Sequence, residues 1–275
     1  MAYIPKKVSD RFSQEVAKFQ RILASAKNRD LNEADTVMIV TDILSDVFGF
    51  DKYTELTGEF AIKNLYCDLA VKIEGKVKSL IEVKAVGLDL KENHLRQALE
   101  YGATQGIQWI ILTNGIFWEV HRVNFQPPLR ADLVCQLNFL ELNPRKAKDQ
   151  EMLFLFCKEG LSKDVFREFH EHQQIVNRFT IGAIVLGESV LDIIRRELKK
   201  ISPGVRVDNS EIEAIIKDEV LKRDAIEGEM AKQAMGRYKK VTDKLRKAKE
   251  SLKEQTNQAE HADESKDNDE SQGNP

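Results

Sequence analysis

The sequence has few cysteines and prolines, no long hydrophobic run and no excess of either charge. Its 275 residues include 3 Cys and 6 Pro, and 42 basic residues against 45 acidic ones give a formal net charge of −3. Cys67, Cys135 and Cys157 are too few and too far apart for a disulfide framework or a zinc site, which predicts buried thiols in a reducing compartment. The near balance of charge means that any nucleic-acid binding must depend on local basic patches.

Two further absences bound the class of protein. No stretch approaches the roughly 18 apolar residues of a membrane-spanning helix, and the N-terminus lacks the apolar segment of a signal peptide, so we expect a cytoplasmic protein with no membrane partner. The sequence also contains no Gly-x-x-x-x-Gly-Lys-Ser/Thr loop. An ATP-driven motor within the chain is therefore excluded, and no nucleotide cofactor is expected.

The pattern of apolar residues predicts an α/β core. Helical spacing predicts two helices in the first fifty residues, and alternation then predicts a β-hairpin that turns around Gly75. A helix, a buried strand and a hairpin turned by Asn114-Gly115 follow, because Asn and Gly tolerate positive φ. The predicted order is ααββαββ, with a further edge strand over Leu133–Leu142.

Three segments are predicted along the chain. Residues 1–145 form the α/β core, residues 146–255 form a helical region, and residues 256–275 form a disordered acidic tail, because no apolar periodicity survives there. In the last helix a series of apolar residues alternates spacings of three and four, as in a coiled-coil seam, which predicts a partner helix, for instance that of a second copy. The seam consists of Tyr238, Val241, Leu245, Ala248 and Leu252.

The same helix is strongly basic. Its cations are candidates for contact with a phosphate backbone, and a solvated charged face beside a coiled-coil seam accounts for the same pattern. The candidate residues are Lys239, Lys240, Lys244, Arg246 and Lys247.

The residues that point to chemistry lie on the predicted hairpin. Glu82 and Lys84 are two apart in a strand, so their side chains emerge on one face. If the turn is centred on Gly75 with an odd number of loop residues, Asp68 lies opposite Glu82. Two carboxylates and an ammonium then suit phosphodiester hydrolysis, because carboxylates hold Mg²⁺ and the metal activates water. The alternative is a salt bridge between Lys84 and Asp68 at a sheet margin.

Lys84 has two open roles in such a site. As a base it must be neutral, and a neighbouring metal would favour that form by lowering its pKa. The carboxylates oppose this shift and favour a charged lysine that acts electrostatically. The residue pattern does not separate the two roles.

Asp68, followed by Ile81-Glu82-Val83-Lys84-Ala85, resembles the PD-(D/E)xK nuclease superfamily. Cys67 stands where the name of the motif has proline. More narrowly, the chain resembles the N-terminal endonuclease domain of type I restriction enzyme R subunits and stand-alone predicted restriction endonucleases. The resemblance covers roughly Leu31–Val123. The further matching segments are Asn32-Glu33-Ala34-Asp35, Gln97-Ala98-Leu99-Glu100-Tyr101, and Leu112-Thr113-Asn114-Gly115 with Trp118.

The resemblance implies a restriction-endonuclease-like fold, in which a mixed central sheet is flanked by helices. It implies hydrolysis of DNA that depends on Mg²⁺ or Mn²⁺, in restriction or defence against foreign DNA. Asp68 and Glu82 would be metal ligands together with the backbone carbonyl of Val83. Lys84 would lie beside the attacking water.

Three auxiliary residues are carried over in the same way. Glu33 resembles an acidic residue on the helix that precedes the site. Gln97 and Tyr101 are four apart on one helix face and resemble a pair beside the site, although spacing alone equally fits an ordinary polar helix margin. His94, near the start of that helix, could border the site, but a surface histidine is the preferred interpretation.

The rival interpretation is a non-catalytic binding or adaptor protein. Such a protein would keep the nuclease fold and act through its helical C-terminal region. The intact set of Asp68, Glu82 and Lys84 argues against it, because a silent scaffold needs no carboxylate cluster.

Overall fold

A computed structural model describes residues 3–62 and 65–267 of the chain. Its two compact units are Met1–His170 and Glu171–Pro275. The chain is mixed α/β, with a six-stranded sheet flanked by helices and a helical C-terminal region. This confirms the predicted α/β class.

All strands of the described residues lie in the first unit. Its elements are α1 (Lys6–Asn28), α2 (Glu33–Asp46), β1 (Leu56–Ile62), β2 (Leu65–Ile73), β3 (Lys76–Val83), a 3₁₀ turn (Glu92–Leu95), α3 (Arg96–Gln105), β4 (Trp109–Thr113), β5 (Phe117–Asn124), β6 (Arg130–Asn138), a second 3₁₀ turn (Phe139–Glu141), α4 (Ala147–Phe156) and α5 (Lys158–Leu161).

The remaining elements are helical. They are α6 (Val165–Ile175), α7 (Arg178–Val185), α8 (Glu188–Ile201), α9 (Asn209–Ile215), a π-helical turn (Ile216–Val220), α10 (Arg223–Ile226) and α11 (Glu229–Asp267). None of the helices in the described part of the chain combines the length and the apolar character that crossing a membrane requires.

The strands lie in the sheet in chain order, from β1 to β6. Every neighbouring pair is antiparallel except β3 and β4, which are parallel and connected through α3. The first strand, β1, was not predicted, because Gly58 interrupts the alternation of Leu56, Phe60 and Ile62. It forms by pairing with β2, with Leu56 opposite Val71.

The two sheet faces carry separate cores. Ile81 and Val83 of β3 belong to the larger core, which also contains buried residues of α1 and α2. Leu80 points to the other face and packs in a smaller core with Ala98 and Tyr101 of α3. Side chains at alternate positions of a strand point to opposite faces, so Glu82 shares the α3 face.

The first compact unit extends beyond the predicted boundary at residue 145. Helix α4 is buried in the larger core, where the Phe156 ring stacks on Phe48 with a centroid separation of 5.6 Å. Phe48 in turn meets Trp118 edge to face at 5.3 Å. Periodicity predicts that α4 is a helix, but does not indicate the sheet on which it packs.

The C-terminal end also differs from its prediction. Helix α11 continues to Asp267, so residues 256–267 of the predicted disordered tail are helical. Residues 268–275 lie outside the described residues. The prediction of buried thiols is confirmed, since Cys67, Cys135 and Cys157 are all buried and free.

Candidate active site

The turn between β2 and β3 has two residues, Glu74 and Gly75, both with positive φ (52° and 74°). Such a turn favours a tight hairpin with paired flanking strands. An unbroken two-residue hairpin would place Asp68 opposite Ile81, with its side chain on the face that Glu82 does not share. The expected odd number of loop residues is therefore wrong.

A β-bulge restores the pairing that the site requires. The register shifts by one residue within β2, and beyond the shift Leu69 pairs with Ile81. Continued by one residue, this register would bring Asp68 opposite Glu82. Asp68 Oδ2 accepts a hydrogen bond of 2.7 Å from the backbone N–H of Val83, which fixes the carboxylate at the end of β3. Bulges commonly redirect side chains next to active sites.

Lys84 lies between two carboxylates. Its Nζ is 2.7 Å from Glu82 Oε1 and 3.4 Å from both carboxylate oxygens of Glu33. The Glu82 side chain is only 6% exposed, whereas that of Glu33 is 49% exposed. Among the described residues the ion-pair partners of Lys84 are these two, so the alternative salt bridge from Lys84 to Asp68 is not formed.

The position of Glu33 depends on a contact between α2 and the segment after β3. Thr36 is fully buried, and its Oγ1 accepts a hydrogen bond of 3.1 Å from the backbone N–H of Val86. This bond ties the first turn of α2 to the chain just beyond Lys84. Glu33, the first residue of α2, is thereby brought to the lysine.

Burial raises the pKa of both hairpin carboxyls. The pKa of Glu82 rises to about 7, chiefly through burial, with repulsion from Asp68 and Glu33 adding to it and the Lys84 hydrogen bond opposing it. Burial also raises the pKa of Asp68, against the hydrogen bond from Val83 and the charge of Lys84. Both acids are thus held where their charged forms are disfavoured.

The pKa of Lys84 is raised as well. Burial by itself would lower it, but the hydrogen bond to Glu82 and the charges of Glu82, Glu33 and Asp68 outweigh burial. The lysine is therefore an ammonium in the metal-free site. Three carboxylates face this one cation, which leaves the cluster with excess negative charge.

A divalent cation suits this charge. No group of three or more His, Cys, Asp or Glu side chains within residues 3–62 and 65–267 is arranged to hold a metal ion. Mg²⁺ needs no such cage, because it keeps several waters and usually binds through one or two carboxylates. The oxygens of Asp68 and Glu82 are hard donors with excess negative charge between them, so the residues present fit Mg²⁺ or Mn²⁺.

The two predicted residues of α3, Gln97 and Tyr101, have different surroundings. Tyr101 is 1% exposed and packs in the smaller core, where its pKa is raised by burial and by the nearby Cys67. Gln97 is exposed, and among the described residues no hydrogen bond joins it to the carboxylates. Helix α3 nevertheless lies against β2 and β3, the strands that carry the cluster.

The predicted basic residues belong to the second compact unit. All five are exposed on α11, and Arg246 makes only long ion pairs of 3.9 Å, with Asp243 and Glu250. Their full set is Lys239, Lys240, Lys244, Arg246 and Lys247. Their exposure is compatible with both predicted roles, a contact with a phosphate backbone and a solvated charged face.

The structure adds His94, which the sequence interpretation had left as a surface residue. The charges of Lys84 and Glu33 both act on its ring. It precedes Gln97 by three residues and Tyr101 by seven, the spacing of one helical face. This spacing is the feature of the sequence that could have identified His94 as a candidate site residue.

Two substitutions of Asp68 separate its charge from its hydrogen bond. Asn keeps an acceptor for the buried Val83 N–H, whereas Ala leaves that donor unpaired. We expect Asp68→Ala to lower the free energy of unfolding by about 1–3 kcal/mol and Asp68→Asn to have a much smaller effect. Urea unfolding in EDTA measures both, and equal losses would contradict the assigned hydrogen bond.

No protein-family model matches the chain, and neither does any curated protein or solved structure. The functional argument therefore depends on the geometry of Asp68, Glu82 and Lys84.

Proposed function

We propose that the chain is a metal-dependent endonuclease that hydrolyses DNA phosphodiester bonds through Asp68, Glu82 and Lys84. The supporting observation is the cluster itself. The buried Glu82 lies 2.7 Å from Lys84 Nζ, and Asp68 of the neighbouring strand accepts a hydrogen bond from the N–H of Val83, which lies between them. Burying Glu82 with its pKa raised to about 7 works against folding at neutral pH. Because folding does not favour the burial of this carboxylate, a cation-binding site is the better explanation for it.

The PD-(D/E)xK resemblance assigns the roles. Asp68, Glu82 and the backbone carbonyl of Val83 would hold Mg²⁺ or Mn²⁺, which when bound supplies charge neutralisation and an acidified water. Lys84 stays protonated in the metal-free site, which favours an electrostatic and orienting role over that of a base. Glu33 holds the other side of the lysine and restricts where its ammonium lies.

The same resemblance leads us to propose a restriction-endonuclease-like fold for the first unit. Its support is a mixed sheet in which the β2–β3 hairpin carries the acidic residues and β3 pairs in parallel with β4. Helices cover both faces of this sheet. A biological role in restriction or defence against foreign DNA follows from the resemblance alone.

Cleavage of supercoiled plasmid tests the proposed function. Methylated and unmethylated plasmids are incubated with wild type or Lys84→Ala in Mg²⁺, Mn²⁺ or EDTA. We expect wild type to nick or linearise plasmid only with metal, and the variant to be inactive. A folded wild type that leaves both plasmids intact with either metal would count against the endonuclease.

A second candidate, a non-catalytic adaptor, is favoured by one feature of the second unit. Helix α8 exposes apolar side chains, with Ile193 48%, Leu198 38% and Ile201 82% exposed. Calorimetry separates the candidates, because the endonuclease predicts Mg²⁺ or Mn²⁺ binding that Asp68→Ala abolishes. Wild type that binds neither metal would favour the adaptor.

We also propose a homodimer through α11, because cutting both strands at one place needs two sites. Val241 and Leu245 of the predicted seam are each 57% exposed, Ala248 is exposed, and Leu252 lies outside the residues whose side chains are described. Unpaired apolar residues at heptad spacing favour a partner helix.

The double substitution Val241→Glu and Leu245→Glu is expected to yield monomers, because it places charge in the seam. The double substitution Lys240→Glu and Lys247→Glu places the same two acidic residues on the side of the helix away from the seam, and should leave the dimer intact. Sedimentation equilibrium measures the mass of each. A wild type that is monomeric at working concentration would rule out the dimer.

A further inference from the structure

His94 lies in the 3₁₀ turn that leads into α3, and one of its two ring nitrogens is held by the backbone. Its Nδ1 accepts a hydrogen bond of 3.2 Å from the backbone N–H of Lys91, and the backbone N–H of His94 donates to the Lys91 carbonyl at 2.9 Å. An imidazole that accepts at Nδ1 carries its proton on Nε2 when neutral. Within residues 3–62 and 65–267, that Nε2 makes no hydrogen bond.

The turn that carries the ring follows a loop held at the end of β3 and β4 that bears Lys84. The backbone N–H of Lys84 donates to the Thr113 carbonyl at 2.8 Å, and Asn114 Nδ2 donates to the Leu88 carbonyl at 2.9 Å.

The His94 ring is partly exposed, and the charged groups that act on it are Lys84, Lys91 and Glu33. Burial lowers the pKa of His94, the two lysines lower it further, and Glu33 opposes them. The imidazole is therefore neutral at neutral pH, with an N–H donor available at Nε2.

A neutral hydrogen-bond donor beside this acidic cluster can help to bind a phosphate group. A phosphodiester strand that approaches Asp68 and Glu82 brings negative charge to an acidic site, so its phosphates need donors as well as a metal. The described cluster provides one such cation, Lys84, which already contacts two carboxylates. The backbone bond at Nδ1 fixes the ring, so its Nε2 is already oriented before substrate binds.

We propose, on the basis of the proposed function, that His94 is a substrate-contact residue whose Nε2–H donates a hydrogen bond to a phosphate oxygen of the DNA strand. The contact orders the strand beside Glu82 and Lys84 and transfers no proton. It also gives the 3₁₀ turn before α3 a role in binding.

Two amide substitutions separate this contact from a purely structural role. Asn places its Oδ1 near the position of Nδ1, so His94→Asn keeps the acceptor for Lys91 but has nothing at Nε2. Gln reaches the position of Nε2 with an NH₂ donor, so His94→Gln keeps the donor but loses the acceptor. A capping role predicts that Gln is the harmful change, whereas a phosphate contact predicts that Asn is.

The test is steady-state cleavage of plasmid DNA with Mg²⁺, with thermal unfolding of each variant as a check on folding. A hydrogen bond to a charged group contributes about 1.5–3 kcal/mol, so we expect His94→Asn to raise KM by about 10-fold or more at a nearly unchanged kcat. His94→Gln should stay within about 3-fold of wild-type KM, at a lower melting temperature than His94→Asn.

The outcomes distinguish this inference from the proposed function. Wild-type KM in His94→Asn, or an equal rise in both variants, would overturn the phosphate contact and leave the endonuclease standing. A folded wild type without cleavage would overturn both together.

Discussion

Glu82→Gln is expected to reduce metal-dependent cleavage by about 1,000-fold, because losing a metal ligand removes several kcal/mol of transition-state stabilisation at 1.36 kcal/mol per tenfold. Gln has the size of Glu and keeps an oxygen that accepts from Lys84, which lies 2.7 Å from Glu82 Oε1. It removes the negative charge and replaces the other carboxylate oxygen with an NH₂ group, which cannot bind the metal. Initial rates of plasmid nicking in Mg²⁺ measure the effect.

Glu119 provides the matched control. In the sheet register Glu82 is opposite Leu112 and Leu112 is opposite Glu119, so both glutamates lie on one face with a single strand between them. Glu119 Oε2 is bonded to His121 rather than to the cluster. Glu119→Gln should therefore cleave at the wild-type rate. Wild-type activity in Glu82→Gln would refute the assigned site.

The same residue is expected to make the metal-free protein less stable as pH rises. The pKa of Glu82 is about 7 in the folded chain against an ordinary 4.5. A raised pKa means that its contribution is fully present below pH 4.5 and is lost as pH rises through 7. A shift of this size corresponds to a loss on the order of 3 kcal/mol. Burial of Asp68 acts in the same direction.

Urea unfolding across this pH range, in EDTA, measures the effect as the difference between wild type and Glu82→Gln. The free energy of unfolding of the variant should exceed that of wild type at pH 8, and the two should converge near pH 4.5. Mg²⁺ should raise the stability of wild type at pH 8 and leave that of the variant nearly unchanged, because ligands that bind only the folded state stabilise it. If the free energies of unfolding of wild type and variant ran parallel across this pH range, the pKa of Glu82 would not be raised in the folded chain.

Much of the fold follows from local patterns. Helical spacing predicts α1 and α2, the apolar run predicts β4, and Asn114-Gly115 predicts the turn into β5, where Gly115 has a φ of 82°. Strand β1 was missed because Gly58 interrupts its alternation, and the strand is completed by pairing with β2. The burial of α4 was missed for a similar reason, since a helical period does not state its packing partner.

For the candidate site, the sequence by itself determined that Glu82 and Lys84 share one face, because side chains two apart in a strand point the same way. The tertiary structure alone decided that Asp68 joins them, because the two-residue turn sets one register and the bulge in β2 changes it by one. It also decided that Glu33 meets Lys84, through the Thr36 to Val86 bond, and that the loop leading to His94 is held at the same end of the sheet, through the Asn114 to Leu88 bond. Side-chain alternation is a local property of the backbone, whereas register and helix docking depend on how both sheet faces pack.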